Sequence, residues 1–182
     1  NDCMSVVFET DLESDPSWTV VGDWEYGVPD SATYPDGPDG CAGGSAGCYG
    51  TNMDGPYSSS LSYTSNYVMS ETIDLTGLTS GDLVNLEFDM WLDVESTWDF
   101  GQVAVTTDGG TTWQVVSMLS PPYNWGGTPN VEWTGSTGGW ISAVGVLDDY
   151  AGQVIQIGWR LASDMSTQHA GFYIDNVAVR SL

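Results

Sequence analysis

Twenty-five acidic side chains and nine tryptophans carry most of the chemistry this sequence can offer. Carboxylates ligate hard cations, and calcium takes about six to eight oxygens from carboxylates, backbone carbonyls and water. Asp93, Glu95 and Asp99 follow one another closely in WLDVESTWDFG. Asp93 and Glu95 share a strand face, and carboxylates so close repel one another unless a cation lies among them. These three are a candidate calcium (Ca2+) cluster. Paired carboxylates could also serve glycoside hydrolysis. A chain this acidic always offers such pairs, however, and the pattern supplies no special pocket for them. Gly43-Gly44-Ser45-Ala46-Gly47 matches G-x-S-x-G. That motif needs a strand before it, a helix after it and a histidine base, whereas this copy lies between two cysteines. His169 is the only histidine and has no Ser or Cys constellation around STQHAGF. A zinc site built of histidines is excluded by count. The expectation is a protein that binds and does not catalyse.

Sugar rings stack on exposed indoles while Asp, Asn, Gln or Arg reads their hydroxyls, so the placement of each tryptophan matters. Trp18, Trp113 and Trp159 fall in patterns that place them in a core. Alternation puts Trp91 outward, and Trp98, Trp125, Trp133 and Trp140 fall in loops. More exposed indoles than a protein shows without reason suggest a binding surface. The candidate ligand set is Trp91, Trp125 and Trp98 with Glu87, Asp89 and Arg160, Arg160 being placed opposite Trp91. The competing structural reading has Trp91 covered by a long loop and Arg160 neutralising acidic neighbours.

Strands must position these groups. Val84, Leu86, Phe88, Met90 and Leu92 alternate with Asn85, Glu87, Asp89, Trp91 and Asp93, the period of a sheet wet on one side. Gln153 to Leu161 repeats the pattern with Gln156 and Arg160 outward. Further strands are predicted at 2–10, 17–21, 67–75 and 171–179. Residues 102–106 and 111–116 form a hairpin around Asp108-Gly109-Gly110. The spacing Thr106-x-Asp108-x-Gly110-x-Thr112-Trp113 resembles the Asp-box hairpin, a structural element that recurs in unrelated β-folds; Trp113 would fold back over it. No segment shows a sustained helical period. The 182 residues fit one antiparallel β-sandwich domain, with a long loop at about 22–57 clamped by Cys41 and Cys48. These two lie close enough for a local disulfide, which points to a secreted protein. Cys3 is left over, either buried or paired with a neighbouring domain.

A net charge of −23 with two basic residues argues against nucleic acid, whose phosphates would be repelled, and against anionic membranes. No apolar run approaches the roughly 20 residues of a membrane span. No signal-peptide pattern opens the sequence, so any such peptide was removed or lay upstream.

FET near the start, then GDWEYGVP, CYGTNMDGPY, ETIDLTGL, DGGTTW, LDDYAGQVIQIGWRLASD and GFYIDNVAV occur in an order that resembles MAM-like jelly-roll modules of secreted bacterial proteins. Peptidases of the immune inhibitor A type are among those proteins. Both ends are also similar to calcium-stabilised carbohydrate-binding modules and to adhesin modules of secreted cysteine peptidases. The resemblance implies a jelly-roll sandwich inside a larger secreted chain. It also implies a calcium joining a Glu that closes the first strand to an Asp in the last, here Glu9 and Asp175. Two functions follow: binding of a neutral polysaccharide, or attachment to a cell-surface or protein partner.

Overall fold

The structure is a computed structural model and describes residues 4–182; Cys3 lies outside them. Thirteen strands form in the order β1 (Ser5–Thr10), β2 (Thr19–Val21), β3 (Trp24–Gly27), β4 (Cys48–Thr51), β5 (Tyr67–Met69), β6 (Ile73–Asp74), β7 (Val84–Asp93), β8 (Phe100–Thr106), β9 (Gln114–Val115), β10 (Ser117–Ser120), β11 (Ile141–Val146), β12 (Val154–Ala162) and β13 (Gly171–Ser181). A seven-stranded sheet runs β10-β11-β7-β13-β4-β3, with β1 also on β13. A six-stranded sheet runs β2-β5-β12-β8-β9, with β6 on β12. All strand pairings between these elements are antiparallel. Two such sheets packed face to face are the β-sandwich that the alternation predicts.

The core lies between the sheets. Val84, Leu86, Phe88, Met90 and Leu92 of β7 are buried, while the residues between them are only partly covered. Ile155, Ile157, Trp159 and Leu161 of β12 face them from the other sheet. Trp159 stacks on Trp18 at 5.6 Å and meets Phe88 edge-on; Trp18 in turn stacks on Tyr49. Each large apolar side chain so buried stabilises the fold by about 1.5–3 kcal/mol before entropy is set against it.

Three expectations need correction. The 22–57 stretch is not loop throughout, since β3 and β4 pair within it and extend the seven-stranded sheet, with Trp24 and Tyr49 in the core. The chain between them makes one 3₁₀ turn at Ala42–Gly44, and Cys41 and Cys48 are bonded across it with Cα atoms 5.7 Å apart. The 67–75 strand breaks into β5 and β6, which both pair with β12. Finally, Trp113 is only half-buried. It covers β12 from outside, where a Cβ on Gly158 would come within 2.5 Å of its ring. Glycine is required there so that the indole can approach.

The hairpin between β8 and β9 is closed by Asp108. One carboxylate oxygen accepts from the Thr112 N–H (2.8 Å) and the Thr106 hydroxyl (2.8 Å), and the other from the Thr112 hydroxyl (2.7 Å). These donors favour the ionised form and hold the Asp108 carboxyl down at about 2. Trp113 folds back so that its indole N–H reaches the Gly110 carbonyl.

Candidate functional site

Loops at one end of the sandwich bring a carboxylate group together. β7 ends at Asp93, and the chain turns through Thr97, which takes a positive φ of 71°, to reach β8. The N–H groups of Trp98 and Asp99 both donate to the Glu95 carbonyl, and the Thr134 hydroxyl donates to the Asp99 carbonyl. This turn points Asp99 inward and Trp98 outward. Asp99 is fully buried; its carboxylate accepts from the Tyr57 hydroxyl (2.5 Å) and from the Asp164 N–H (2.7 Å). Burial pushes the Asp99 carboxyl up, the Asp164 charge adds to this, and the two hydrogen bonds work against it.

Carboxylate oxygens of Glu95, Asp99 and Asp164 lie within 4.8 Å of one another. Glu95 Oε2 is buried and has no hydrogen-bond partner among the described residues. Anionic oxygens this close, one of them unpartnered, fit a hard oxygen-seeking cation such as calcium. Asp93, expected in this cluster, is not a member; its carboxylate faces His169 Nδ1 at 3.3 Å. Asp93 is an outward-facing residue of β7, while Glu95 lies past the strand end, where alternation no longer holds. Asp164 takes the third place. It lies just beyond β12, far from Asp99 in sequence, and only the antiparallel pairing of β12 with β8 makes them neighbours.

The most exposed indoles stand at the same end. Trp98 is 61% exposed and Trp125 is 42% exposed. Trp125 stacks on Phe100, two residues after Trp98, with centroids 6.1 Å apart. Backbone hydrogen bonds between Trp125 and both Val131 and Glu132 hold the indole on a short hairpin. Glu132 is fixed in turn by the Tyr63 hydroxyl (2.5 Å). Asn124 binds Thr134 through both its amide ends, and Thr134 also accepts from the Thr97 N–H. The corner is therefore anchored on the carboxylate cluster.

Trp91 is outward, as alternation requires, but it is half-buried edge-on against Tyr173 at 5.5 Å. Tyr173 is itself covered, with its hydroxyl bonded to the Asn52 and Ala170 carbonyls. Trp140 is tied by its indole N–H to the Gly40 carbonyl, and Trp133 is core.

Arg160 does not stand opposite Trp91. It lies on β12 of the six-stranded sheet, 7% exposed, bonded to Gln102 and stacked on Tyr63 (5.0 Å) and Trp113 (5.3 Å). Alternation assumes a wet outer face, whereas the Trp125 hairpin and Trp113 cover this one. The arginine beside Glu87 is Arg180, at 3.0 Å. Asp89 is held by Ser142 and Asn176, both at 2.9 Å.

Glu9 and Asp175 both face outward from the seven-stranded sheet but have different partners. Glu9 pairs opposite Ala178 and turns to Arg180 at 3.6 Å, away from Asp175 along β13. Asp175 is fully buried beneath the disulfide turn and accepts from the Ser45 hydroxyl (2.5 Å) and the Asn176 N–H (2.8 Å). Burial pushes its carboxyl up to about 6, against the pull of these donors and with help from Asp89. Ser45, the serine of the G-x-S-x-G match, thus fastens a turn.

Fold and site together define an all-β jelly-roll sandwich with an exposed aromatic corner. By sequence the chain belongs to the immune inhibitor A-like MAM domain family, whose model matches residues 56–181. Bacillopeptidase F of Bacillus subtilis is 32% identical over 94% of this chain. The pre-pro-metalloprotease PrtV of Vibrio cholerae is 23% identical over 55%. The chain spans about a tenth of the length of each. In fold it is similar to the CBM22-1 xylan-binding domain of Paenibacillus barcinonensis Xyn10C. That likeness covers 100% of this chain and 97% of that domain, with TM-score 0.52 and 14% identity.

Proposed function

We propose that this chain is a non-catalytic, calcium-stabilised module of a larger secreted protein, and that it binds neutral polysaccharide through Trp98 and Trp125. The exposure of two anchored indoles at one corner carries this reading. Solvating such rings is unfavourable, and stacking on the C–H face of a sugar relieves it. A net charge of −23 favours neutral glycans over polyanions. Membership in a family of peptidase-associated modules supports an accessory role. Calcium bound by Glu95, Asp99 and Asp164 would offset most of the cluster's negative charge and hold the 95–99 turn that presents Trp98. Trp91, Glu87 and Asp89 lie on the outer face of the seven-stranded sheet, against Tyr173, Arg180, Ser142 and Asn176, and stand outside this corner.

A second reading keeps the corner and changes the ligand. Both named relatives are peptidases, and a protein partner could dock on the same indoles, as hot spots are rich in tryptophan. Affinity electrophoresis through gels containing neutral polysaccharides (xylan, mannan, β-glucan, xyloglucan) separates the two. Retardation by at least one supports glycan binding. Unretarded migration in all of them, with capture of a purified extracellular protein, transfers the function to adhesion.

A further inference from the structure

Thr134 is bonded to both of the arms that carry the exposed indoles, to each by a different part of the residue. Its backbone holds the Trp125 arm: the Thr134 N–H donates to the Asn124 side-chain carbonyl (2.9 Å), and the Thr134 carbonyl accepts from the Asn124 amide (3.0 Å). Its side chain reaches the Trp98 arm. The hydroxyl accepts from the Thr97 N–H (2.7 Å) and donates to the Asp99 carbonyl (2.9 Å), with the Glu95 carbonyl at 3.3 Å. Trp98 thus lies between two residues fastened to one side-chain oxygen. The ends of its turn have a second anchor, since the Tyr57 hydroxyl accepts from the Glu95 N–H (3.1 Å) and donates to the Asp99 carboxylate (2.5 Å). At the exposed apex the Thr134 hydroxyl is the group that takes the Thr97 N–H.

The apex needs such a partner. Thr97 has φ 71°, a left-handed conformation that a β-branched residue rarely adopts and that persists only where the surroundings impose it. Trp98, the next residue, is 61% exposed, so packing does little to fix its indole. Without the Thr134 hydroxyl, water can take the Thr97 N–H, and the backbone is free to return to negative φ and swing Trp98 with it. We infer that Thr134 is the positioning residue of this corner. Its hydroxyl holds Thr97 in the conformation that turns Trp98 outward, and its backbone holds the Trp125 arm alongside. Both indoles then meet a ligand already ordered, and a preformed surface binds more tightly because less freedom is lost on contact. The inference rests on the glycan reading of the corner and adds to it a residue that acts through Trp98.

Affinity electrophoresis in the neutral polysaccharide that retards the wild type tests it, together with fluorine NMR of the fluorotryptophan-labelled chain. The Trp98 and Trp125 lines are assigned by their loss in Trp98→Ala and Trp125→Ala. Thr134→Val keeps the backbone bonds to Asn124 and removes only the hydroxyl. It should bind about five- to thirtyfold more weakly, the cost of reordering one freed backbone residue. Its melting temperature should stay within about 4 °C of wild type, as only a partly exposed hydroxyl is lost. The Trp98 line should shift or broaden while the Trp125 line stays in place, and in a Trp98→Ala background the substitution should cost no further affinity. Thr134→Ser keeps the hydroxyl and should behave as wild type. Thr97→Pro removes the same N–H and forbids a positive φ; it should reproduce the loss, and it carries the test if Thr134→Val does not fold. Wild-type affinity or an unmoved Trp98 line in the folded variant overturns the inference and leaves the indole site standing. An undiminished loss in the Trp98→Ala background, or the same loss in Thr134→Ser, overturns it too. A wild type that no neutral polysaccharide retards overturns the glycan reading and this inference together.

Discussion

Asp175 should make this protein less stable as the pH rises from about 4 to 6. Its carboxyl is fully buried under the disulfide turn and titrates at about 6 in the folded chain, against 3.8 for an ordinary aspartate. Between those values the folded state holds a proton that the unfolded state has released. Stability therefore falls with rising pH across that window and is level above it. The displacement of roughly two units corresponds to about 3 kcal/mol, or some 6–12 °C in melting temperature for a chain of this size. Other carboxylates titrate nearby, and −23 charges are relieved on acidification, so the informative quantity is a difference. Asp175→Asn cannot ionise, and its melting temperature should lack this component. Thermal unfolding of both proteins at half-unit steps from pH 4 to 7, with chelator present, would show the wild type losing those degrees relative to the variant. Parallel curves would refute the reasoning. Repeating the series in millimolar calcium also tests a metal at Asp175, since a bound cation would favour the carboxylate and flatten the wild-type curve.

At the Glu95–Asp99–Asp164 cluster, calcium at about a hundredfold its dissociation constant should add about 2.7 kcal/mol. Asp164→Asn should remove most of that response; a melting temperature that is the same in calcium and in chelator contradicts a metal there. Gly158→Ala should push Trp113 off β12 and cost about 1–3 kcal/mol by overpacking. Unchanged stability and tryptophan fluorescence would show that the indole does not need that glycine.

Elements with one wet face were legible. β7 alternates along its whole length because one side meets the core and the other meets water, so period and burial coincide. β12 and β8 are covered on both sides, and there the alternation misplaces Arg160 and Gln102. β3 and β4 are short and set among Gly, Pro and Asp residues that read as loop; only their pairing reveals them. The Cys41–Cys48 bond could be read from spacing because the two residues are close in sequence. The carboxylate cluster was half-legible for the opposite reason. Glu95 and Asp99 are local, whereas Asp164 arrives through strand pairing, which leaves no local trace. Trp98 and Trp125 were legible as loop tryptophans, but the bonding of both loops to Thr134 was not.

The central claim is that Trp98 and Trp125 bind neutral polysaccharide. Its most direct measurement is the affinity of wild type, Trp98→Ala and Trp125→Ala for whichever neutral polysaccharide retards the wild type, with melting temperatures taken alongside. Each indole is exposed, so truncation should cost little stability. A binding tryptophan typically contributes about 2 kcal/mol or more, roughly a thirtyfold loss of affinity. The account predicts that loss in both variants at an unchanged melting temperature. Wild-type affinity in both, on the same polysaccharide, would contradict it.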